Sequence, residues 1–298
     1  MKRIKEIKKY ATIDIGSNAI RLLISNIIIR DDYAPQSTKN ALVRVPVRLG
    51  QDAFTKGLIL EENICRLIDS MKSFKLLMKV HKVEKYLAYA TSALRNSSNC
   101  LDIVKRIESE TGVLIKIIDG KKEAKLITNN NIFNDKSITY CFIDVGGGST
   151  ELTIIKNEKI IKSKSFKIGG VRLINNLVSE KTWKSFEYWI KDNLMDYKKI
   201  SVVGFGVNIN KIFKISGNKI GKPLSIKKID STISKLEKMT LLEKTLNLKL
   251  NPDRLDVIVP AGKIYKLLLN TINVDQIGVP KVGLADGMVL ELLKTLKP

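Results

Sequence analysis

The segment YATIDIGSNAIRLLI, starting at Tyr10, is written again in altered form as YCFIDVGGGSTELTI, starting at Tyr140. At this offset of 130 residues (140 − 10), Tyr, Ile, Asp, Gly, Leu and Ile recur in register. Each copy is a β-branched run ending near an aspartate, a turn of small residues, and a second apolar run. That pattern predicts a strand, a tight turn and a strand. The tetrapeptide VRLG at 47–50 is echoed by FKIG at 166–169. A chain that repeats such a unit predicts two related α/β halves, each ordered strand-strand-strand-helix-strand-helix-strand. In such halves ligands bind at strand ends.

The intervening segments fit that order. Residues 41–50 read as a third strand. Residues 61–80 place Ile64, Leu67, Ile68, Met71, Phe74 and Met78 at helical spacing. VEKYLAYATSALRN reads as a short strand and a loop, and CLDIVKRIESETG as a helix stopped by Gly112. VLIKII is a strand, and GKKEAKLITNN opens a helix. After the second copy, helices are expected near 171–177 and 180–196, a strand in ISVVGFG, and a helix from NINKIFKI. One long amphipathic helix is expected over 225–248. RLDVIVPAGKIYKLLLN reads as a buried helix, VDQIGV as a short strand and LADGMVLELLKTL as the last helix.

Several functional classes are excluded by composition. No apolar run approaches the roughly 18–20 residues that span a bilayer, so no membrane association is expected. The basic N-terminus lacks an apolar core and cleavage site, which argues against a secretory signal. Cys65, Cys100 and Cys141 form no CxxC pair, which fits a reducing cytoplasm rather than a disulfide framework. His81 is the single histidine, so neither a histidine metal cluster nor a Ser-His-Asp triad is expected. The net charge is +22, from 52 Lys and Arg against 30 Asp and Glu. It suggests an anionic partner or simply a lysine-rich surface. Aromatics at 6% do not interleave with the basic residues, which disfavours a stacking single-strand binder, and no specific nucleic-acid partner is expected.

The chemistry-bearing residues cluster in the repeat. Gly146, Gly147 and Gly148 lack side chains and admit positive φ, so their N–H groups can turn toward one anion. Ser149 adds a hydroxyl, and Ser17 and Asn18 offer donors in the first copy. Asp14 and Asp144 end strands, where a carboxylate needs a partner or a hard cation such as Mg²⁺; stabilisation of the turn is the alternative. Arg95 can fork onto phosphate oxygens. Glu123 stands early in a helix, where a carboxylate also simply complements the helix dipole. No Walker A run is present: GNKIGKP has the wrong spacing.

Together DIGSNAIRLLI, ATSALR, GKKEAKL, FIDVGGGSTEL, FKIGGVRL, RLDVIVPAG and GLADGMVL resemble the exopolyphosphatase and guanosine pentaphosphate phosphohydrolase (Ppx/GppA) family. The motifs run in order from residue 11 to about 292. The resemblance implies two RNase H-like α/β domains of the actin/sugar-kinase/Hsp70 superfamily around a central cleft, expected as residues 1–124 and 125–298. The last helix, about 284–297, is open to packing back on the first domain. The resemblance further implies hydrolysis of a terminal phosphoanhydride of polyphosphate or guanosine pentaphosphate, assisted by Mg²⁺ or Mn²⁺, in a homodimer. By motif position Glu123 is then the base for the attacking water. Asp144 orients metal and water, Asp14 is a second metal ligand, and Ser17, Asn18, Arg95 and Gly146 to Ser149 hold phosphate.

This chain departs from the family pattern in three places. Ala19 stands where serine is usual, Lys122 replaces the first carboxylate of a glutamate pair, and Val207 replaces a glycine. A longer helical domain with an HD-like metal motif is not expected, so the short two-domain form is the match. A sugar or acetate kinase on the same fold and a non-hydrolysing sensor of guanosine polyphosphates or polyphosphate remain as alternatives.

Overall fold

The computed structural model describes residues 4–31, 33–128, 135–280 and 282–296. The chain divides into two units: residues 1–130 with 284–298, and residues 131–283.

In the first unit, β1 (Glu6–Ile15), β2 (Ile20–Arg30) and β3 (Tyr33–Val45) form an antiparallel meander. After α1 (Leu49–Thr55) and α2 (Glu61–Val80), β4 (Lys85–Ala90) pairs parallel to β1 on its other side. Next come α3 (Ser92–Arg95), α4 (Cys100–Thr111), β5 (Lys116–Ile117) and α5 (Gly120–Thr128). The sheet order is β3-β2-β1-β4-β5. Every residue from Tyr10 to Ile15 is buried. A central strand covered on both faces needs such a continuous apolar, β-branched run.

The second unit repeats the plan. β6 (Thr139–Val145), β7 (Thr150–Lys156) and β8 (Lys159–Phe166) form the meander. α6 (Gly170–Ile174) and α7 (Glu180–Leu194) follow, and β9 (Ile200–Phe205) pairs parallel to β6. Then come α8 (Val207–Ile215), β10 (Leu224–Ser225), α9 (Ile226–Lys238), α10 (Leu241–Leu246), α11 (Ile258–Thr271) and β11 (Gln276–Gly278). The order β10-β11-β9-β6-β7-β8 reproduces the first sheet with one added edge strand. The core packs Phe166 edge-on against Phe186 and Trp189, at ring separations of 5.0 and 5.8 Å. α12 (Leu284–Leu293) belongs to the first unit, where Val289 and Leu292 pack with Tyr10, Leu23 and Ile27.

Four local expectations change. The run at 225–248 is two helices, because Thr240 and Glu243 form a reciprocal capping box that starts α10 afresh. ATSALRN contains a helical turn, α3, not only a loop. The third strand begins at Tyr33 and ends at Val45, and the residues after it enter α1. The strand expected in VLIKII spans only Lys116–Ile117. Residues 129 and 130, at the end of the expected GKKEAKLITNN helix, lie outside the described residues. Among the described residues no helix is long and apolar enough to cross a membrane.

Candidate active site

Every residue singled out above follows the carboxyl end of a parallel strand or ends one. In the first unit Asp14 lies at the end of β1, α3 follows β4, and α5 follows β5. The first turn closes with the Gly16 N–H donating to the Ala19 carbonyl at 3.2 Å. The Ser17 and Asn18 carbonyls accept from the Gly50 and Arg48 N–H groups at 2.7 and 3.1 Å. In a trans peptide the next N–H points opposite to the carbonyl. The N–H groups of Asn18 and Ala19 therefore face away from the segment that enters α1. Gly50 permits this brace, because a β-carbon there would stand 2.9 Å from the Ser17 Cβ. The Ser17 and Ser92 hydroxyls are 2.9 Å apart.

Glu123 stands in the first turn of α5, its side chain 13% exposed. Arg95 Nη1 lies 3.9 Å from its Oε2 and donates to the Ile118 carbonyl at 2.6 Å. Arg95 thus ties α3 to the strand end that launches α5 and sets a cation beside Glu123. The Asp119 carboxylate caps the Lys122 N–H at 2.7 Å. Asp14 is buried, and its Oδ2 accepts from Arg21 Nη1 at 2.6 Å.

The second unit uses the same turn. The Gly146 N–H donates to the Ser149 carbonyl at 2.9 Å. The Gly146 carbonyl accepts from the Gly170 N–H at 3.0 Å, and that of Gly147 from the Val171 N–H at 2.8 Å. Arg172 Nε donates to the Gly148 carbonyl at 2.9 Å. All three carbonyls turn toward α6, so the N–H groups of Gly147, Gly148 and Ser149 point the other way as a row of donors. Gly169 makes this possible: a β-carbon there would stand 2.5 Å from the Gly147 carbonyl oxygen. The positive φ that glycine admits is not used at 146–148. Among the described residues the positive-φ glycines of this unit are Gly206, Gly217 and Gly221, and the close approach at the turn requires glycine at 169.

Asp144 faces Glu151 across the β6–β7 pair, at the positions that Asp14 and Arg21 hold across β1–β2. Where the first unit sets a guanidinium beside its aspartate, the second sets a carboxylate. Glu151 is buried and accepts from the Ser165 hydroxyl at 2.8 Å. Asp144 Oδ1 occupies the space that a β-carbon on Gly206 would need, at the N-terminal end of α8. Below this pair Tyr265 is fully buried. Its hydroxyl accepts from the Val145 N–H at 3.3 Å and donates to the Phe205 carbonyl at 2.7 Å. Burial, then Asp144 and Glu151, push that phenol well above its ordinary range.

Glu151 is a candidate site residue that the sequence reading did not single out. Its signal was the repeat itself, which aligns it with Arg21 at the same offset of 130 (151 − 21). Two carboxylates on one strand face form a hard-oxygen donor set that suits Mg²⁺, which binds through one or two carboxylates plus water and phosphate oxygens. Among the described residues no group of three acidic, histidine or cysteine side chains is arranged to hold a metal alone. In the first unit the Arg21 guanidinium engages Asp14 Oδ2 and would share that carboxylate with any cation held there.

Comparisons with known proteins find similar chains. The chain is 30% identical to a bifunctional 3-dehydroquinate synthase/phosphatase of Fusobacterium nucleatum over 97% of its own length, and spans 48% of that relative. It is 20% identical to exopolyphosphatase 1 of Mycobacterium bovis, covering 96% of this chain and 88% of the relative. An exopolyphosphatase structure from Cytophaga hutchinsonii is 25% identical with a TM-score of 0.81, over 97% and 99% of the two chains. The Aquifex aeolicus member of the Ppx/GppA protein family is 26% identical with a TM-score of 0.76, over 98% and 100%. The profile of the Ppx/GppA phosphatase family matches residues 41–296. With that match over most of its length, the chain belongs to the Ppx/GppA phosphatase family.

Proposed function

We propose that this chain is an exopolyphosphatase, releasing terminal phosphate from inorganic polyphosphate by attack of an activated water. The observation that carries the reading is the pair of braced turns, each presenting backbone N–H groups away from its own helix. The names of the relatives support the choice of polyphosphate as substrate, and the +22 charge suits a polyanion.

The N–H groups of Gly147, Gly148 and Ser149 bind phosphate oxygens, with Ser17, Asn18 and the Ser149 hydroxyl adding donors. Glu123 accepts a proton from the attacking water, a role worth about 10²–10⁴-fold. Arg95 sets a guanidinium beside Glu123, 3.9 Å from its Oε2. Asp144 and Glu151 would hold Mg²⁺ or Mn²⁺, which supplies neutralisation of charge on the transferring and leaving oxygens. Most of the acceleration comes from positioning and electrostatics, as is general for phosphoryl transfer. Operation in the cytoplasm as a homodimer belongs to the same reading.

The test is phosphate release from long-chain polyphosphate and from guanosine pentaphosphate at matched concentration, with Mg²⁺ and with excess EDTA. Faster, metal-dependent release from polyphosphate is expected. Preference for guanosine pentaphosphate would reassign the substrate. Tight binding without release would make the chain a sensor, and phosphorylation of a small acceptor by ATP would make it a kinase.

A further inference from the structure

The residue beside the proposed base departs from the family pattern, and the structure shows what it does instead. α12 lies directly on α5. A β-carbon on Gly287 would overlap the Leu126 carbonyl oxygen, so glycine alone allows the two backbones to come this close. Thr12 Oγ1 on β1 donates to the Ala285 carbonyl at 3.3 Å and fixes the start of the same helix. One turn beyond Gly287, Glu291 reaches back toward α5. Its Oε1 accepts from Lys122 Nζ at 2.7 Å and from the Tyr89 hydroxyl at 3.2 Å. The Lys122 ammonium also stands 5.9 Å from the centre of the Tyr89 ring. The phenol of Tyr89 is pushed up to about 12, by burial first and by Glu291 next, which keeps it a hydrogen-bond donor to that carboxylate.

Lys122 and Glu123 are consecutive in the first turn of α5, so their side chains diverge by about 100° around the helix axis. Lys122 is held by Glu291 on α12, and Glu123 lies beside Arg95 on α3. The first turn is therefore gripped from two sides, and the Asp119 carboxylate caps the Lys122 N–H.

We propose that Lys122 is a positioning residue: its ion pair with Glu291 fixes the rotation of the first turn of α5 and so aims the Glu123 carboxylate. The inference rests on the role of Glu123 proposed above. On this view the exchange of the usual glutamate for lysine is not the loss of a catalytic group. It is a change of anchor, matched by an acid on α12. The pair is about one-third exposed, at 39% and 30%, so its contribution to overall stability is modest. Its effect falls on geometry.

The experiment is a charge-swap cycle on the full chain. Lys122→Met and Glu291→Gln should each lower kcat about tenfold, since small misplacements of a catalytic group are costly, with KM within about twofold of the parent. The double variant Lys122→Glu/Glu291→Lys should restore kcat to within about threefold, because the pair is rebuilt in reverse. Unchanged kcat in both single variants would overturn the proposal. So would a raised KM at unchanged kcat in Lys122→Met, which would make Lys122 a substrate-binding cation. A folded double variant, by circular dichroism, that stays as slow as the single variants would overturn it too. Should the parent release no phosphate at all, the functional reading fails separately. Amide exchange over residues 120–128 then reads the anchor directly. Faster exchange in Glu291→Gln, reversed in the swap, supports the anchor; equal exchange in all forms refutes it.

Discussion

Asp144 Oδ1 fills the space in which a β-carbon of Gly206 would stand, and Gly206 holds φ at +90°. Side chain and backbone are thus mutually fitted: the carboxylate has its place because residue 206 has no side chain. Gly206→Ala meets both a steric overlap and a backbone conformation essentially reserved for glycine, a strain on the order of 1–3 kcal/mol. The carboxylate must move, and a displacement of about 1 Å at a reacting centre can cost about 100-fold. Steady-state phosphate release should fall by that order, while the thermal midpoint shifts by only a few degrees.

Glu151 and Asp144 face each other on neighbouring strands. If they share a cation, Glu151→Gln weakens its retention while sparing the loops that bind phosphate. The Mg²⁺ concentration for half-maximal activity should rise by about 10–100-fold, the range typical of lost metal-site partners. A titration of activity against Mg²⁺ checks this. An unchanged midpoint would remove Glu151 from the metal role.

Tyr265 joins the ends of β6 and β9 through one hydroxyl, beyond their last paired residues, Asp144 and Phe205. Tyr265→Phe leaves the Val145 N–H and the Phe205 carbonyl without that partner in a buried place. A loss of about 1–3 kcal/mol in unfolding free energy is expected. Urea unfolding of the purified variant measures it.

The sequence disclosed this fold unusually far because its main signal is local and repeated. A strand, a turn and a strand need only neighbouring residues, so the hairpins at Asp14 and Asp144 were both legible. The same repeat carried the identity of Glu151, but only to a reader pairing the strands in register. That pairing sets residue 151 against residue 144 and residue 21 against residue 14. The tie between Arg21 and Asp14 was hidden for the same reason. Other features were out of reach of local pattern. The need for glycine at 169 and 206 comes from the approach of distant backbone and of the Asp144 side chain. The break at Thr240 was legible in principle, since TLLE carries a capping-box signature, yet amphipathic periodicity ran straight across it. Glu123 looked like an ordinary helix-start carboxylate, and only family resemblance singled it out. The structure adds its setting beside Arg95.

The central claim is that Glu123 activates water for attack on a phosphoanhydride, and the direct measurement is phosphate release from long-chain polyphosphate by Glu123→Gln beside the parent, in saturating Mg²⁺. The substitution keeps the shape and removes the base. The account predicts at least about a 100-fold fall in kcat, with substrate binding retained. Turnover within a few-fold of the parent would contradict it.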